Sequence, residues 1–349
     1  MKTTSVSSAA ISNAMRYAQA RMQADLVKAQ KEMDSGRVAD VGLALGARTT
    51  QSVTFARDLE RLQGIVDSNA LIASRLSSTQ DALGQLTDTA EALMSALPSA
   101  ISGDMSVNVT RDAGKAALKS MTSILNTSVN GEYLFAGINT DVKPINDFDA
   151  PASPARAALE AAFLARFGFT HNDPAAANIT AGDMEDFLVN DVFPQFMGAD
   201  WQTNWSNATD QQIVSRIALN ETAETSVSAN NDGVRKLAMA AAVVAVFFDS
   251  NLGSEARTTT ASRAFSWVGE AVGELGQVQS RAGLIQNRLS AATERMNTQI
   301  DLFNRHIVDL EGVDPYEAAN RVNDLLTHIQ TSFALTARIQ QLSLLNFLT

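Results

Sequence analysis

Few residue combinations in this chain could do chemistry. Gly114-Lys115 is the nearest approach to a phosphate-binding loop, but the Gly five residues upstream and the following Ser or Thr are missing. No G-x-S-x-G elbow and no H-E-x-x-H pair occurs. His306 and Asp309, at i and i+3, would share a helix face, yet two ligands do not close a metal site. Asp147 and Asp149 have the spacing of half a calcium loop without its Gly and bidentate Glu. Six N-x-Ser/Thr sequons, among them Asn178-Ile179-Thr180 and Asn207-Ala208-Thr209, fit chance in an Asn- and Thr-rich chain. Three His and no Cys leave little for a zinc site and nothing for thiol chemistry. The residues therefore assign no catalytic group, no metal and no cofactor, and the chain reads as something other than an enzyme.

The elements around these residues are helical. Near the start, Ile11, Met15, Ala18, Met22, Leu26, Ala29 and Met33 follow an 11-residue period; near the end, Val322, Leu326, Ile329, Phe333 and Leu344 do the same. Such a period keeps an apolar stripe nearly straight, and matching periods predict that the two terminal helices pair. Further in, Leu76, Leu83, Leu86, Ala90, Leu93 and Leu97 form a heptad stripe that Pro98 should end. Leu275, Val278, Ala282, Ile285, Leu289, Met296, Phe303, Ile307 and Leu310 continue one for about five heptads. The run Ala238 to Phe248 is too short for a bilayer and reads as a buried helix. Gly269 and Gly273 are expected to mark close helix approach or simple tolerance.

Charge divides the chain. The 349 residues hold 27 basic and 38 acidic side chains, a formal −11, which leaves no global basic footprint for nucleic acid. Residues 141–255 alone contain 16 acidic and 6 basic, together with five of the seven prolines. A compositionally distinct insert between near-neutral flanks is the simplest reading. Within it, Ala155 to Phe167 and Asp183 to Phe193 predict short helices. Gln212 to Leu219 and Thr222 to Ala229 predict a hairpin turning at Asn220-Glu221. Asn231-Asp232-Gly233 should open a helix near Val234. The expected fold is mainly α: a long coiled-coil bundle formed by both chain ends, with a small inserted α+β domain. The polar, Ala-rich first 22 residues lack the apolar stretch of a cleaved secretory leader. The expectation is either a cytoplasmic protein or export without such a leader.

Three segments carry a resemblance. Ala282-Gly283-Leu284-Ile285-Gln286-Asn287-Arg288-Leu289, followed by the acidic turn Glu311 to Glu317, resembles the flagellin family. So does the chain end, Gln341 to Thr349, in the form closest to its hook–filament junction branch. Asn130-Gly131-Glu132-Tyr133-Leu134-Phe135-Ala136-Gly137 resembles the segment that precedes the variable domain in that branch. Residues 1–145 and 226–349 are covered. Asp34 to Val38 fits the family's pattern after the first helix, whereas Ala39 to Gly46 departs from it.

The resemblance implies a non-enzymatic structural subunit of the bacterial flagellum, exported by the type III route. It implies a terminal helical pair (1–30 with 312–349), a helical core (31–145 with 226–311) and a variable outer domain (146–225). Assembly contacts are expected at Ile11, Met15, Met22, Phe333, Leu342, Leu344, Leu345, Phe347 and Leu348. The family-motif positions are Asn130, Gly131, Tyr133, Phe135, Gly137, Gln286, Asn287, Arg288 and Leu289. The implied partners are copies of the chain in a ring, flagellin, the hook-side junction protein and an export chaperone, with no nucleic acid and no membrane insertion. The role expected first is an adaptor at the hook–filament junction, with the bulk filament subunit as the alternative.

Overall fold

The computed structural model describes residues 8–102, 106–248 and 251–345. In chain order, α1 (Ser8–Ser35) leads through the short α2 (Val41–Leu45) into α3 (Thr49–Ile101), and α4 (Val107–Leu125) follows. A tight hairpin, β1 (Ser128–Val129) and β2 (Glu132–Tyr133), precedes α5 (Pro154–Phe167) and α6 (Ala181–Phe187). A π-helical turn at Leu188–Val192 joins α6 to α7 (Phe193–Met197), and α8 (Asp200–Asn204) comes next. The antiparallel pair β3 (Val214–Ala218) and β4 (Glu221–Glu224) then leads to α9 (Asp232–Phe247), α10 (Ser254–Glu311) and α11 (Pro315–Leu345). The architecture is mainly α, with long paired helices and a small α+β insertion. The chain forms two compact units: Met1–Gly64 with Met296–Thr349, and Ile65–Arg295.

The second unit is organised around α9. Asn231 caps it by accepting from the Gly233 amide at 3.0 Å, and Asp232 adds favourable charge to the first turn. A helix apolar on all sides must be covered on all sides, and every residue from Leu237 to Phe247 is buried. Two glycines set how closely the neighbours approach. A Cβ on Gly114 of α4 would sit 2.9 Å from the Ala245 nitrogen and 3.0 Å from the Ala241 oxygen. A Cβ on Gly233 would meet the Leu275 nitrogen of α10 at 3.0 Å. Lys236 joins α9 to α10 by ion pairs with Glu270 and Glu274, both at 2.7 Å.

The inserted segment builds onto the same core. Phe163 of α5 stacks on Phe247 at 5.1 Å between ring centroids, and Phe187 meets the two edge-on at 5.4 and 5.3 Å. Trp201 and Trp205 stack in parallel, and the Trp201 indole donates to Asn230 at 2.8 Å, so its polar edge is satisfied inside the core. Along α3, Leu76, Leu83, Leu86, Ala90, Leu93 and Leu97 are all buried, as their heptad spacing predicts.

Two expectations shift. Pro98 does not end its helix; α3 continues through it to Ile101, without the bond that the missing Pro98 amide would have made. Its carbonyl still accepts from Ser102 at 3.0 Å. The hairpin turns at Leu219-Asn220, and Glu221 belongs to β4 opposite Ala218.

Gly114→Leu should destabilise the protein by roughly 1–3 kcal/mol or more, because the α4–α9 contact has no room for a side chain. Gly273→Ala, at an exposed α10 position with no atom within 4 Å of a new Cβ, should stabilise it by up to about 1 kcal/mol. Urea midpoints at constant slope report both. For Lys236, burial pulls the ammonium pKa down, but its hydrogen bonds to Glu270 and Glu274 outweigh that and leave it above 10.5. A raised folded-state pKa means the stabilisation is complete below the unfolded value and lost as pH rises through the folded one. The stability gap between the parent and Lys236→Met should therefore be constant up to about pH 10 and shrink above it.

Candidate assembly surface

In the first unit, α1 and α11 pair antiparallel. Gln19 faces Ser332 and Thr336, and Glu32 pairs with Arg321 at 3.1 Å, so rising numbers along α1 meet falling ones along α11. Met15, Gln19, Met22, Leu26 and Ala29 line the α1 side; Ala318, Val322, Leu325, Ile329, Ser332 and Thr336 line the other. The steps alternate four and three, the heptad seam of a coiled coil. This corrects the 11-residue stripe. Val322 and Ile329 belong to both patterns, but a two-helix seam takes Leu325 and Ser332 in place of Leu326 and Phe333, and Gln19 in place of Ala18. Leu326 and Phe333 stay 38% and 51% exposed. Of the expected assembly residues, Met15 and Met22 lie on the seam and Phe333 lies outside it. The side chains of Ile11, Leu342, Leu344 and Leu345, and the whole of Phe347 and Leu348, lie outside the described residues.

The corner closing this pair is built from the Asp34 to Val38 segment and the acidic turn after α10. Gly36 takes φ +66°, ending α1 in the left-handed conformation that glycine adopts without strain. The Val38 amide then donates to the Glu311 carbonyl at 2.8 Å, and the Val313 amide to the Gly36 carbonyl at 3.0 Å. The Glu311 carboxylate is buried, accepts from the Ser52 hydroxyl and pairs with the half-exposed Arg37 at 3.5 Å. Residues 39–46, which depart from the family pattern, form α2. Asp40 caps it at the Leu43 amide, Leu45 is buried and Leu43 is exposed. His306 stacks on Phe55 at 5.3 Å, beside the Phe55–Phe303 stack.

Burial is lopsided in this unit. Among its described residues, eight apolar side chains are buried, from Ala29 to Ile329, and none belongs to an extended core cluster. Eleven large apolar side chains are exposed, including Tyr17, Val27, Leu43, Tyr316, Phe333 and Leu335. The unit's sequence has 12 acidic and 12 basic residues, so the net −11 falls entirely within Ile65–Arg295.

The family-motif residues occupy structural positions in the second unit. Asn130 and Gly131, with φ of +54° and +85°, make the two-residue turn between β1 and β2. Arg75 holds that hairpin through Glu132 at 2.6 Å and the Tyr133 carbonyl at 2.8 Å. Phe135 is buried and its carbonyl accepts from Ala229 at 2.8 Å. Gly137 has φ +69°, and a Cβ there would run into Thr209. Leu289 packs with Leu76, Ile217, Ala223 and Ala292 under the β3–β4 hairpin, while Arg288 reaches Glu221 at 3.0 Å. Gln286 is half-buried beside them, and Asn287 lines an open 780 Å³ groove against the hairpin.

No group of three or more His, Cys, Asp or Glu suited to a metal occurs among the described residues, and no described helix is long and apolar enough to cross a membrane. Asp147 closes a short turn by accepting from the Asp149 amide at 3.0 Å, and Asp149 pairs with Arg156. The residues that sequence spacing missed are Gln19, Ser332 and Thr336 on the seam and the Ser52–Glu311–Arg37 corner. A four-three count through Met15, Met22 and Ala29 would have found the first of these.

These features define a class: an α-helical subunit with one closed core and one open antiparallel pair made from its two chain ends. The bacterial flagellin N-terminal helical region matches residues 6–140, and the bacterial flagellin C-terminal helical region matches residues 265–348. The chain belongs to the flagellin family, whose place is the bacterial flagellum, and it is a structural protein rather than an enzyme. Among solved structures, one assigned to a flagellar hook-associated protein from Vibrio parahaemolyticus shares the fold. Its TM-score is 0.52 at 10% identity, over 76% of this chain and 97% of that one. A search of curated proteins gave no match.

Glu311→Ala should cost roughly 1–3 kcal/mol, because it leaves the buried Ser52 hydroxyl without its acceptor. Glu311→Gln, which keeps an acceptor oxygen, should cost less; the half-exposed Arg37 pair adds little. Hydrogen exchange at the Val38 and Val313 amides is the measurement, with faster exchange expected in the alanine variant.

Proposed function

We propose that this chain is a filament subunit of the flagellum, a flagellin, that polymerises through the unit built by its chain ends. The observation that carries this reading is the open first unit: apolar side chains left in water and no net charge to oppose association. Isolated helices with a single apolar seam are marginal in water, and neighbours that cover the exposed positions supply the missing burial. Both matched regions are flagellin regions, which favours the bulk subunit. Copies of the same chain are then its main partners. An export chaperone that shields the chain ends before assembly fits the same surface. The layered division (1–30 with 312–349, 31–145 with 226–311, and 146–225 outermost) belongs to this proposal.

A second reading, an adaptor at the hook–filament junction of the kind called hook-associated protein 3, is favoured by Asn130 to Gly137 and by the chain end from Leu342 to Leu348. In that role it would form a ring between the hook-side junction protein and the first flagellin turns. Deleting the gene separates the two. For a filament subunit, the dominant band of sheared flagella disappears and no equivalent protein accumulates in the medium. For an adaptor, hooks remain bare, flagellin monomer accumulates outside the cell, and the parent band was only a trace. Normal filaments on the deletion strain would refute both. In either role, truncation after Gln341 should leave a secreted, folded chain that is not incorporated. It removes several Leu and Phe side chains, each worth roughly 1.5–3 kcal/mol when buried. Incorporation of the truncated chain at the parental level would move the assembly surface elsewhere.

A further inference from the structure

We propose that α3 of one copy docks along α10 of another, an acidic stripe against a basic one. On α10, Arg281, Arg288 and Arg295 recur every seven residues on an exposed face. The first two edge the open groove beside the β3–β4 hairpin, where Leu284 and Val214 are exposed. Arg288 and Arg295 share one acid, Glu221, at 3.0 and 3.1 Å. Arg281 makes no ion pair or hydrogen bond with any described residue. Even with Glu224 of the groove counted, positive charge is left over on this face of a unit whose formal charge is −11.

α3 matches that face in period and opposes it in sign. Asp67, Ser74 and Asp81 also recur every seven residues and are exposed, with Leu71 exposed among them. The one base of α3 beyond Ile65, Arg75, is turned to Glu132 at 2.6 Å. Asp67 to Asp81 and Arg281 to Arg295 each span about 21 Å of helix. Within one chain α3 and α10 run antiparallel, joined by Asn69 to Thr293 at 3.0 Å and Gln80 to the Gln279 carbonyl at 2.8 Å. Both stripes face away from that contact. A second copy set alongside at the same level brings Asp67 to Arg295, Asp81 to Arg281, and Ser74 to Arg288, which already has Glu221. Each exposed leucine then meets a small residue, Leu71 at Ala291 and Leu284 at Ser78. Asp88 comes level with Glu274, whose charge Lys236 holds at 2.7 Å. Exposed ion pairs contribute little each, so the stripes align copies that the chain ends bring together. The inference rests on that assembly reading, in either flagellar role.

The chain contains no cysteine, so introduced ones report contact without background. Leu71 and Ala291 lie about half a turn round their helices from Asn69 and Thr293, too far apart within one chain for a disulfide. Full-length chain carrying Leu71→Cys with Ala291→Cys should therefore oxidise to a ladder of linked chains, and either single variant to no more than a trace of dimer. The ladder is sought on sheared surface appendages and on the purified chain at high concentration. Arg281→Asp and Asp81→Arg should each weaken it about tenfold, and the two together should restore it to within about threefold of the unreversed chain. The proposal is overturned if neither preparation gives a ladder, or if the combined charge reversal brings no recovery. Appendages that contain the chain and give no ladder also overturn it, and leave the assembly reading standing. A ladder from the purified chain, with the chain absent from the appendages, upholds the contact and counts against the flagellar reading.

Discussion

A two-helix seam covers two residues in seven on each helix, and any other apolar side chain on those helices stays in water until something else covers it. That limit governs the first unit. α1 and α11 spend their covered positions on Met15, Gln19, Met22, Leu26 and Ala29 against Val322, Leu325, Ile329, Ser332 and Thr336, two of the last being hydroxyl residues. Tyr17, Val27, Phe333 and Leu335, two of them large aromatics, are exposed. A pair designed for stability alone would place its bulkiest side chains on the seam. This one leaves them exposed, and the proposed assembly role rests on that exposure.

The second unit solves the opposite problem. From Leu237 to Phe247 α9 has no polar face, so its neighbours, α4, α7 and α10 among them, must enclose it, and the alanines of Ala238 to Ala245 let them come close. Gly114 and Gly233 extend that closeness to backbone contact. Phe163 and Phe187 extend the core into the inserted segment. Two polar groups drawn inside are matched, Trp201 by Asn230 and Lys236 by two carboxylates.

Sequence pattern gave a true account where one apolar period stood alone. The heptads of α3 and α10, the buried α9 run and the Asn231 cap are all found where period and capping chemistry place them. It erred where two periods nearly coincide. Over residues 322–333 an 11-residue and a heptad pattern differ by one position, and only the partner helix decides between Leu326 and Leu325. Pro98 lies inside α3, in its last turn, and so marks the approach of the helix's end without being that end. The corner at Glu311 was invisible because Ser52 and Arg37 are far from it in sequence. The Asn130–Gly137 segment was legible as a motif, but its roles, a left-handed turn and a backbone approach to Thr209, needed coordinates.

Charge distribution carries the last step of the argument. The first unit balances 12 acids with 12 bases, and the second holds the whole −11. Exposed charges interact appreciably only within about a Debye length, some 8 Å at physiological ionic strength. Long-range repulsion therefore belongs to the second unit, while the first presents no net charge. Sparse burial and electrical neutrality thus fall on the same unit, and dense packing and negative charge on the other. On the proposal that the chain polymerises through its first unit, one requirement accounts for both: the chain must remain dispersed before assembly and yet associate through one region only.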